Sequence, residues 1–470
     1  MQKTPSLKHN FIMNTILSAS SFLFPLITFP YISRILLPEG NGQVTFATSL
    51  VSYFSMAAAL GIPTYGIRIC AQIRDNQKEL SHTVCEIFII NLITTLFTYI
   101  IFFITINVIP RFRMDKTLFL VCGSTIFFNL LGMEWLYKAL EQYKYITIRS
   151  IIFKCIAVIL MFMLVHSKED YIVYAGITVL ASTGSNILNF INVKRLVPVF
   201  SFSYRIKRHL KPILIFFTLT VTTTIYTNLD IIMLGFISGD AEVGYYNAAV
   251  KVKFILTTLV TSLGAVLLPR ISYYIENGFQ KEYLCLIRKA FDFVIFFALP
   301  LCIYFIFTAK ESILFLSGDA YSRSVIPMQI IMPAVFFIGL TNIIGIQLLV
   351  PLGKEKLVVY STCAGALVNI GFNTYFIPIC ASAGAALGTV AAELTVLILQ
   401  LWFIRSMLKE IVYVSHMIKA LVLSVPAFFA LLLVHMLPIY NNFLYLIISF
   451  LCFGTTYFIT LLAFHKCFAK

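Results

Sequence analysis

Charged residues are scarce in this sequence. Asp, Glu, Lys and Arg make up 12% of its 470 residues, whereas hydrophobic residues make up 60%. Soluble domains carry about 25% charged residues, so this balance does not suit a water-soluble fold. The mean hydropathy of +0.92 points the same way. The composition excludes a soluble globular domain and predicts an all-α polytopic membrane protein.

Cysteine motifs are also lacking. The ten cysteines are scattered, mostly in or beside apolar stretches, and they form no CxxC pair or Cys/His cluster. The sequence therefore predicts neither a disulfide framework nor a metal site, and it indicates no cofactor. The net charge of +15 would suggest a nucleic-acid partner in a soluble protein. Here the cations lie in short loops, so membrane topology explains them and no nucleic-acid partner is expected.

Long loops are missing as well, since none exceeds about twenty-one residues. Membrane glycosyltransferases, polymerases and ligases usually need a sizeable catalytic segment outside the bilayer, with clustered acids or arginines. No paired-carboxylate or nucleophile motif is found in these loops. We therefore expect a protein that is not an enzyme.

What the sequence does contain is a series of apolar stretches, each about long enough to cross a bilayer core. Hydropathy predicts about fourteen membrane-spanning helices, at residues 10–33, 43–66, 83–107, 117–138, 148–166, 171–193, 212–236, 244–268, 290–309, 325–350, 358–377, 383–404, 417–437 and 442–465.

The loop charges predict the orientation of these spans. Loops on the side of the N-terminus hold 25 of the 35 Lys and Arg residues, and the opposite loops with their flanks hold seven. Positive residues favour the cytoplasmic side, so both termini are expected there, in the inner or cytoplasmic membrane. The basic stretch 194–211 contains no acid and is expected to anchor topology at anionic lipid.

A weak internal repeat suggests how the spans are grouped. The turn after the first span (ILLPEGN, then Gly42) resembles the turn after the seventh (235–243, then Gly244), at an offset of about 202 residues. This pattern predicts two pseudo-symmetric six-helix lobes at residues 1–193 and 212–405, typical of transporters with repeated halves. Residues 194–211 are the predicted cytoplasmic linker, and 406–470 supply two additional helices.

The most informative stretch is the predicted helix pair 212–236 and 244–268. An ionisable residue inside a membrane span is costly and is treated as a functional candidate. The first helix contains Asp230, which could pair with Lys251 or Arg34 in one state and release it in another, or could instead bind a coupling ion, either a proton or sodium. The helical period of 100° per residue groups the polar residues of the pair into stripes: Thr220, Thr223, Thr227 and Asp230 on the first helix, and Asn247, Lys251, Thr258, Thr261 and Ser262 on the second.

Matched polar stripes favour a water-filled cavity beside the two helices. The competing interpretation is that the Ser and Thr residues only hold packed helices together by hydrogen bonds. Lys253 lies off its stripe. Glu393, deep in the predicted twelfth span, is a second candidate for ion coupling, and a packing hydrogen bond is the competing interpretation.

Several segments resemble the polysaccharide repeat-unit flippases, which move O-antigen or capsular oligosaccharides on an undecaprenyl-pyrophosphate carrier. Residues 31–68 (YISRILLPEGNGQVTFATSLVSYFSMAAALGIPTYGIR) are similar to the opening signature of that family. The second-half signature resembles 228–235 (NLDIIMLG), 244–252 (GYYNAAVKV) and 267–272 (LLPRIS), in the same order and spacing. The resemblance covers about residues 10–405.

The resemblance implies the fold of the multidrug/oligosaccharidyl-lipid/polysaccharide exporters, in which two six-helix lobes form a V around the substrate. It implies basic substrate-binding residues in the central cavity, at positions matching Arg34, Arg68, Lys251 and Arg270. Fixed Lys and Arg suit a compact pyrophosphate anion. For Arg34, Arg68 and Arg270, interfacial snorkelling is the competing interpretation.

The predicted function is therefore flipping of undecaprenyl-pyrophosphate-linked oligosaccharides to the outer leaflet by alternating access, for surface polysaccharide synthesis. Expected partners are this substrate, membrane lipids, a coupling ion and a polysaccharide polymerase. A multidrug exporter or a peptidoglycan-precursor flippase of the same fold remains an alternative, and a membrane glycosyltransferase or polymerase is a weaker one. A drug exporter for cations would need an acid-lined pocket, whereas these spans carry Lys251 and Lys253.

Overall fold

A computed structural model describes residues 7–197, 205–408 and 414–468. Within these ranges the chain is helical and contains no β-strand. It divides into two compact units, an N-terminal unit (Met1–Asn228) and a C-terminal unit (Leu229–Lys470). The division falls inside one long helix, whereas the sequence placed the seam at 194–211. The middle of that seam, 198–204, lies outside the described residues, and the four-part organisation remains a prediction.

The N-terminal unit is built from helices that are mostly long and apolar. In chain order they are α1 (Leu7–Ala59), α2 (Ile62–Gln72), α3 (Gln77–Val108), α4 (Pro110–Met114), α5 (Lys116–Gly132), α6 (Glu134–Ala139), α7 (Tyr143–Leu164), α8 (Tyr171–Val179) and α9 (Asn186–Leu196), followed by the first part of α10 (Lys207–Ser238). A 3₁₀ turn precedes α8, and a π-helical turn at Leu180–Gly184 joins α8 to α9.

The C-terminal unit continues from the end of α10. Its helices are α11 (Asp240–Glu276), α12 (Gln280–Phe307), α13 (Ala309–Ser317), α14 (Val325–Ile331), α15 (Pro333–Asn342), α16 (Glu355–Cys380), α17 (Ser382–Phe403), α18 (Val414–His435) and α19 (Asn442–Phe468). A 3₁₀ segment (Asp319–Ser324) precedes α14, and a π-helical segment (Ile343–Leu349) follows α15.

The structure confirms an all-α polytopic fold, because eleven helices among the described residues are long and apolar enough to cross a membrane. The number becomes twelve if the pair Asp319–Ile331 and Pro333–Leu349, bent by 43°, is one span. Two features explain why eleven or twelve candidate spans are found and not the predicted fourteen. Residues Ile12–Gln72 count once although two spans were predicted there, and α11 is not among the candidates. Fourteen spans therefore remain a prediction.

The backbone breaks α1 at Leu37, where φ is 58° and ψ is 178°. The residue before a proline is disfavoured in the helical region, and Pro38 follows directly. Leu37 thus separates helical residues 7–36 from 38–59. Gly239, between α10 and α11, has nearly the same conformation, with φ 90° and ψ 177°. These two positions are related by the offset of 202 residues that the sequence repeat predicts.

Close packing fixes the first half of α10 within the N-terminal unit. A Cβ atom at Gly61, between α1 and α2, would collide with the backbone of Ile213 and Phe217. Only glycine permits this approach, because its lack of a side chain brings the two backbones together. The start of α10 is therefore held firmly against the α1–α2 turn.

Candidate functional site

Asp230 on α10 lies at the centre of a buried polar cluster in the C-terminal unit. The residue is 7% exposed. Its Oδ1 accepts hydrogen bonds from Nδ2 of Asn369 at 2.8 Å and of Asn373 at 2.6 Å. Its Oδ2 accepts from the hydroxyls of Tyr246 at 2.7 Å and Thr389 at 2.6 Å. Four donors from three helices therefore surround one carboxylate, and we call these five residues the Asp230 cluster.

The local sequence explains how these side chains meet. Asn369 and Asn373 stand four residues apart on α16, so they share one helix face. The neighbouring helix α17 presents Thr389, and the preceding residue is Gly388. A Cβ atom at Gly388 would collide with Oδ1 of Asn373, so glycine here lets α17 approach the asparagine closely. The hairpin α16–α17 is thus shaped to deliver three polar groups to Asp230.

The chemistry of the cluster suits a small cation. All four donors are neutral, so an ionised Asp230 carries a negative charge that none of them cancels. The oxygen and nitrogen of an asparagine amide can exchange places by rotation, and a hydroxyl can accept as well as donate. Oδ1 of Asn373 is already buried without a hydrogen-bond partner. Carboxylate, amide and hydroxyl oxygens are the ligands that hard cations prefer, and the carboxylate can instead take a proton.

Glu393 and Lys253 stand near this cluster. Glu393 is 7% exposed and follows Thr389 by one turn on α17. Lys253 is partly buried on α11 and lies within electrostatic reach of both Glu393 and Asp230. Sequence reasoning treated Lys253 as a charge outside the cation pattern. The structure associates it with the two candidate coupling acids.

Lys251 is in a different situation. It is partly buried on α11, and it has no hydrogen-bond or ion-pair partner among the residues that the structure describes. The pairing with Asp230, which the sequence suggests for one of two transport states, is not formed in this structure, where neutral side chains contact both carboxylate oxygens. The helix α11, where the sequence predicts a membrane span, therefore presents one cation to which no acid is matched among the described residues.

The predicted basic residues do not form one cluster within either unit. Arg34 is exposed just before the break at Leu37 and donates from Nη1 to the carbonyl of Pro30 at 2.6 Å. Arg68 is exposed on α2, beyond the helical stretch 38–59, which rises about 30 Å. Arg270 is exposed on α11, about 28 Å of helix from Lys251, and it donates to the hydroxyl of Tyr274 at 2.9 Å. Within each unit, the two cations are thus far apart along the helices.

Sequence reasoning missed Asn369 and Asn373. The available signal was a pair of asparagines four residues apart in an apolar span. This spacing resembles that of the polar stripes on the other predicted spans. Their partner Asp230 is 139 and 143 residues away along the chain, so no local pattern connects them.

A second buried acid, Glu86, was also missed. It is 0% exposed in the N-terminal unit and accepts from Nε of Arg208 at 3.0 Å and the amide of Arg205 at 3.3 Å. Nε2 of His209 lies 2.7 Å from Glu86, and Nδ1 of His209 lies 2.6 Å from the hydroxyl of Tyr65. Part of the basic stretch 194–211 therefore binds a buried acid, where the sequence suggested only lipid contact.

Comparison with known proteins agrees with this architecture. Residues 7–275 match the family described as "Polysaccharide biosynthesis protein". The chain is 25% identical to the "Putative O-antigen transporter" of Escherichia coli (strain K12) over 404 residues, which cover 85% of this chain and 97% of that protein. The protein of the same name from Shigella dysenteriae is 25% identical over 372 residues, 77% of this chain and 91% of its own length.

Two solved structures share the fold. A structure of the lipid II flippase MurJ, in an inward closed conformation, matches with a TM-score of 0.80 at 15% identity, covering 98% of this chain and all of that one. An inward-facing multidrug resistance MATE family transporter of the MOP superfamily matches with a TM-score of 0.65 at 13% identity, covering 83% and 94%. Both sequence relatives are named as putative transporters, and the two solved structures are of a flippase and a transporter. The family match, which covers more than half of the sequence, shows that this chain belongs to the polysaccharide biosynthesis protein family.

Proposed function

We propose that this protein flips undecaprenyl-pyrophosphate-linked oligosaccharide repeat units from the cytoplasmic to the outer leaflet, by alternating access, for surface polysaccharide synthesis. The observation that carries the proposal is Lys251, a cation within the predicted span 244–268 that has no partner among the described residues. Such a charge is costly unless a ligand neutralises it, and a pyrophosphate would do so. The family and the O-antigen transporters among the relatives support the same substrate class.

Arg34, Arg68 and Arg270 are proposed as further contacts for the anionic head of the substrate. Their separation along the helices suits contacts made in succession, because one pyrophosphate cannot reach Lys251 and Arg270 together. Each of the three side chains is exposed and is therefore open to a ligand.

The Asp230 cluster is proposed to bind the coupling ion, a proton or sodium. Binding there neutralises a buried carboxylate, and neutral donors can reorient to meet a cation. Glu393 is proposed as the second coupling acid, one helical turn away. Lys253, near both acids, would oppose a cation and so keep its affinity low enough for release.

Cationic drugs fit this arrangement less well. Lys251 would repel them, and Asp230 is enclosed by its four donors rather than open as an acidic pocket. A peptidoglycan precursor carries the same pyrophosphate, so the cell assay distinguishes the two substrates by whether surface glycan or peptidoglycan is made.

No residue set here suggests covalent chemistry, so we propose a transporter and not an enzyme. A polysaccharide polymerase would take up the delivered units.

Both termini are proposed to lie in the cytoplasm, with the protein in the inner or cytoplasmic membrane. Reporter fusions should read outside at Glu39, Lys168 and Asn441 and inside at Gln77, Phe200 and Lys354. Reversal at two or more sites would overturn the orientation.

Surface delivery of polymerised glycan tests the function in cells lacking the native protein. Lys251→Ala should lose most delivery at near-normal membrane abundance, because one charged contact to an anion contributes about 1.5–3 kcal/mol, or roughly ten- to a hundredfold in affinity. Lys251→Arg should retain substantial delivery, because it keeps the charge. Full delivery with Lys251→Ala, or rescue of peptidoglycan synthesis alone, would refute the proposal.

A further inference from the structure

The Asp230 cluster contacts the two carboxylate oxygens in different ways. Both amides donate to Oδ1 of Asp230, and Nδ2 of Asn373 also donates to Oδ1 of Asn369 at 3.1 Å. Turning either amide therefore breaks the bond between the two asparagines as well as a bond to Asp230. Both hydroxyls donate to Oδ2, and a hydroxyl redirects its hydrogen by rotation about one bond, without moving a heavy atom. Oδ2 is thus the oxygen whose hydrogen bonds change most readily.

The three oxygens on the Oδ2 side form a closed triangle. The hydroxyl of Tyr246 lies 2.7 Å from Oδ2 of Asp230 and 2.7 Å from Oγ1 of Thr389. Oγ1 of Thr389 in turn lies 2.6 Å from Oδ2. Tyrosine and threonine supply one hydroxyl hydrogen each, and an ionised carboxylate supplies none. Two hydrogens cannot serve three contacts at once, so the triangle has alternative hydrogen-bond arrangements.

Two of these arrangements keep both hydroxyl hydrogens bonded. In the first, Tyr246 and Thr389 both donate to Oδ2 of Asp230. In the second, Tyr246 donates to Oγ1 of Thr389, and Thr389 donates to the carbonyl of Ala385, 3.2 Å away on its own helix. Each hydroxyl keeps its own proton throughout. The second arrangement leaves Oδ2 without a hydroxyl donor and therefore able to bind a cation.

Packing holds the heavy atoms of this triangle in place. Tyr246 is buried on α11 together with its neighbours Ala248 and Ala249. Thr389 is also buried, and the close approach at Gly388 fixes α17 against α16. The change between the two arrangements is therefore a rotation of two hydroxyl hydrogens inside a rigid frame.

We propose that Tyr246 and Thr389 form a two-position hydrogen-bond switch that competes with the coupling cation for Oδ2 of Asp230. This inference rests on the proposed function and deepens it, because it states how the Asp230 cluster holds and releases its ion. Without the cation, both hydroxyls donate to Oδ2. The cation, a proton or sodium, occupies Oδ2 when the hydroxyls turn to the second arrangement, and their return favours its release. Tyr246 thus lowers the affinity of the site for its ion.

Tyr246→Phe tests the switch, because it removes one competing hydroxyl and keeps the aromatic ring. In the wild type, ion binding replaces a hydrogen bond to a charged carboxylate by one between neutral hydroxyls, which is the weaker of the two. The variant avoids this loss, so the half-saturating ion concentration should fall roughly three- to thirtyfold. If the tyrosine only supported the shape of the site, its hydroxyl could be removed without any gain in ion affinity.

Ion binding is measured on the full-length protein in lipid nanodiscs without substrate. Radioactive sodium at alkaline pH reports sodium occupancy. Difference infrared spectra recorded against pH report protonation of Asp230, through the carboxyl band that Asp230→Asn removes.

Tyr304→Phe is the matched control, since Tyr304 is also 2% exposed in the C-terminal unit. Its hydroxyl lies 2.9 Å from that of Ser449 and donates to the carbonyl of Leu446 at 3.0 Å. The control therefore loses hydrogen bonds of a buried tyrosine that does not contact Asp230 through them. We expect it to leave the half-saturating ion concentration unchanged.

A second measurement uses the wild type alone. With isotope-labelled tyrosine in the protein, ion binding should shift the C–O stretching band of a tyrosine, because its hydroxyl changes from a charged to a neutral acceptor. The absence of any such shift overturns the switch. So does a half-saturating ion concentration in Tyr246→Phe that equals or exceeds that of the wild type.

Failure of the switch is separable from failure of the proposed function. If an ion titrates Asp230 in the wild type but binds Tyr246→Phe no more tightly, the coupling site stands and the switch is wrong. If neither sodium nor a proton titrates Asp230, the proposed coupling site is wrong and the switch is wrong with it. The pyrophosphate site is tested separately, by Lys251→Ala in the cell assay.

Discussion

Glu86 in the N-terminal unit and Asp230 in the C-terminal unit are both buried carboxylates, yet different groups surround them. Arg208 and the backbone amide of Arg205 donate to Glu86, and His209 lies beside them. These arginine and amide groups can only donate. Two amides and two hydroxyls donate to Asp230, and each of them can also accept.

This difference separates a fixed ion pair from an exchangeable site. Glu86 is neutralised by the protein itself, so it ties the start of α10 to α3 and has little capacity to bind anything else. Asp230 is instead contacted by neutral amides and hydroxyls that can reorient. The two buried acids thus differ in whether their donors can also accept a hydrogen bond, and the proposal that Asp230 binds the coupling ion rests on that difference.

The largest expected effect is on folding, at Glu86. Glu86→Gln removes the charge facing Arg208 and should lower the free energy of unfolding by about 3 kcal/mol, because it breaks a buried pair. Thermal unfolding followed by size-exclusion chromatography measures the loss, and transport per folded molecule should change little. Glu79→Gln is the control, since Glu79 is exposed on the same helix. Equal stability of the Glu86→Gln and Glu79→Gln variants would show that Glu86 does not form a stabilising ion pair.

Asp230→Asn should show the opposite pattern. Its size is unchanged and its neighbours can reorient, so protein abundance should remain near normal. Ion-driven transport should fall roughly ten- to a hundredfold, because the charge that binds the ion is gone. Asp319→Asn, at an exposed acid of the same unit, is the control. Transport driven by an imposed sodium or proton gradient gives the readout, and undiminished gradient dependence would exclude Asp230 as the coupling acid.

A smaller effect is expected at Lys253. Removing this cation near Asp230 and Glu393 should strengthen ion binding, so Lys253→Ala should lower the half-activating sodium or proton concentration about two- to tenfold. Lys251→Ala should instead reduce transport at every ion concentration. The two variants thus separate an ion effect from a substrate effect on one helix, and indistinguishable ion dependences would show that the division is false.

Sequence reasoning reached the membrane class, the helical fold and Asp230 because each depends on local signals. Hydropathy reveals spans, and a lone acid in a span is conspicuous. The break at Leu37 was also accessible, since Pro38 follows it. The partners of Asp230 could not be predicted from the sequence, because Asn369, Asn373 and Thr389 meet it only through the packing of distant helices.

Glu86 was inaccessible for another reason. It lies near the predicted start of the third span, where an acid is ordinarily interpreted as lying at the membrane–water interface. Its partners Arg208 and His209 belong to a basic stretch whose ordinary role is lipid contact. Only the packing of α10 against the α1–α2 turn brings these groups together.

Flipping by purified protein in proteoliposomes tests the proposed pyrophosphate site at Lys251 most directly. The substrate is a fluorescent polyprenyl-pyrophosphate disaccharide, and an impermeant reagent on one side reports the fraction translocated. We expect rapid flipping by the wild type, substantial flipping by Lys251→Arg and a loss of roughly ten- to a hundredfold with Lys251→Ala. Undiminished flipping by Lys251→Ala, or equal transport of a neutral polyprenyl disaccharide that lacks pyrophosphate, would contradict a pyrophosphate site at Lys251.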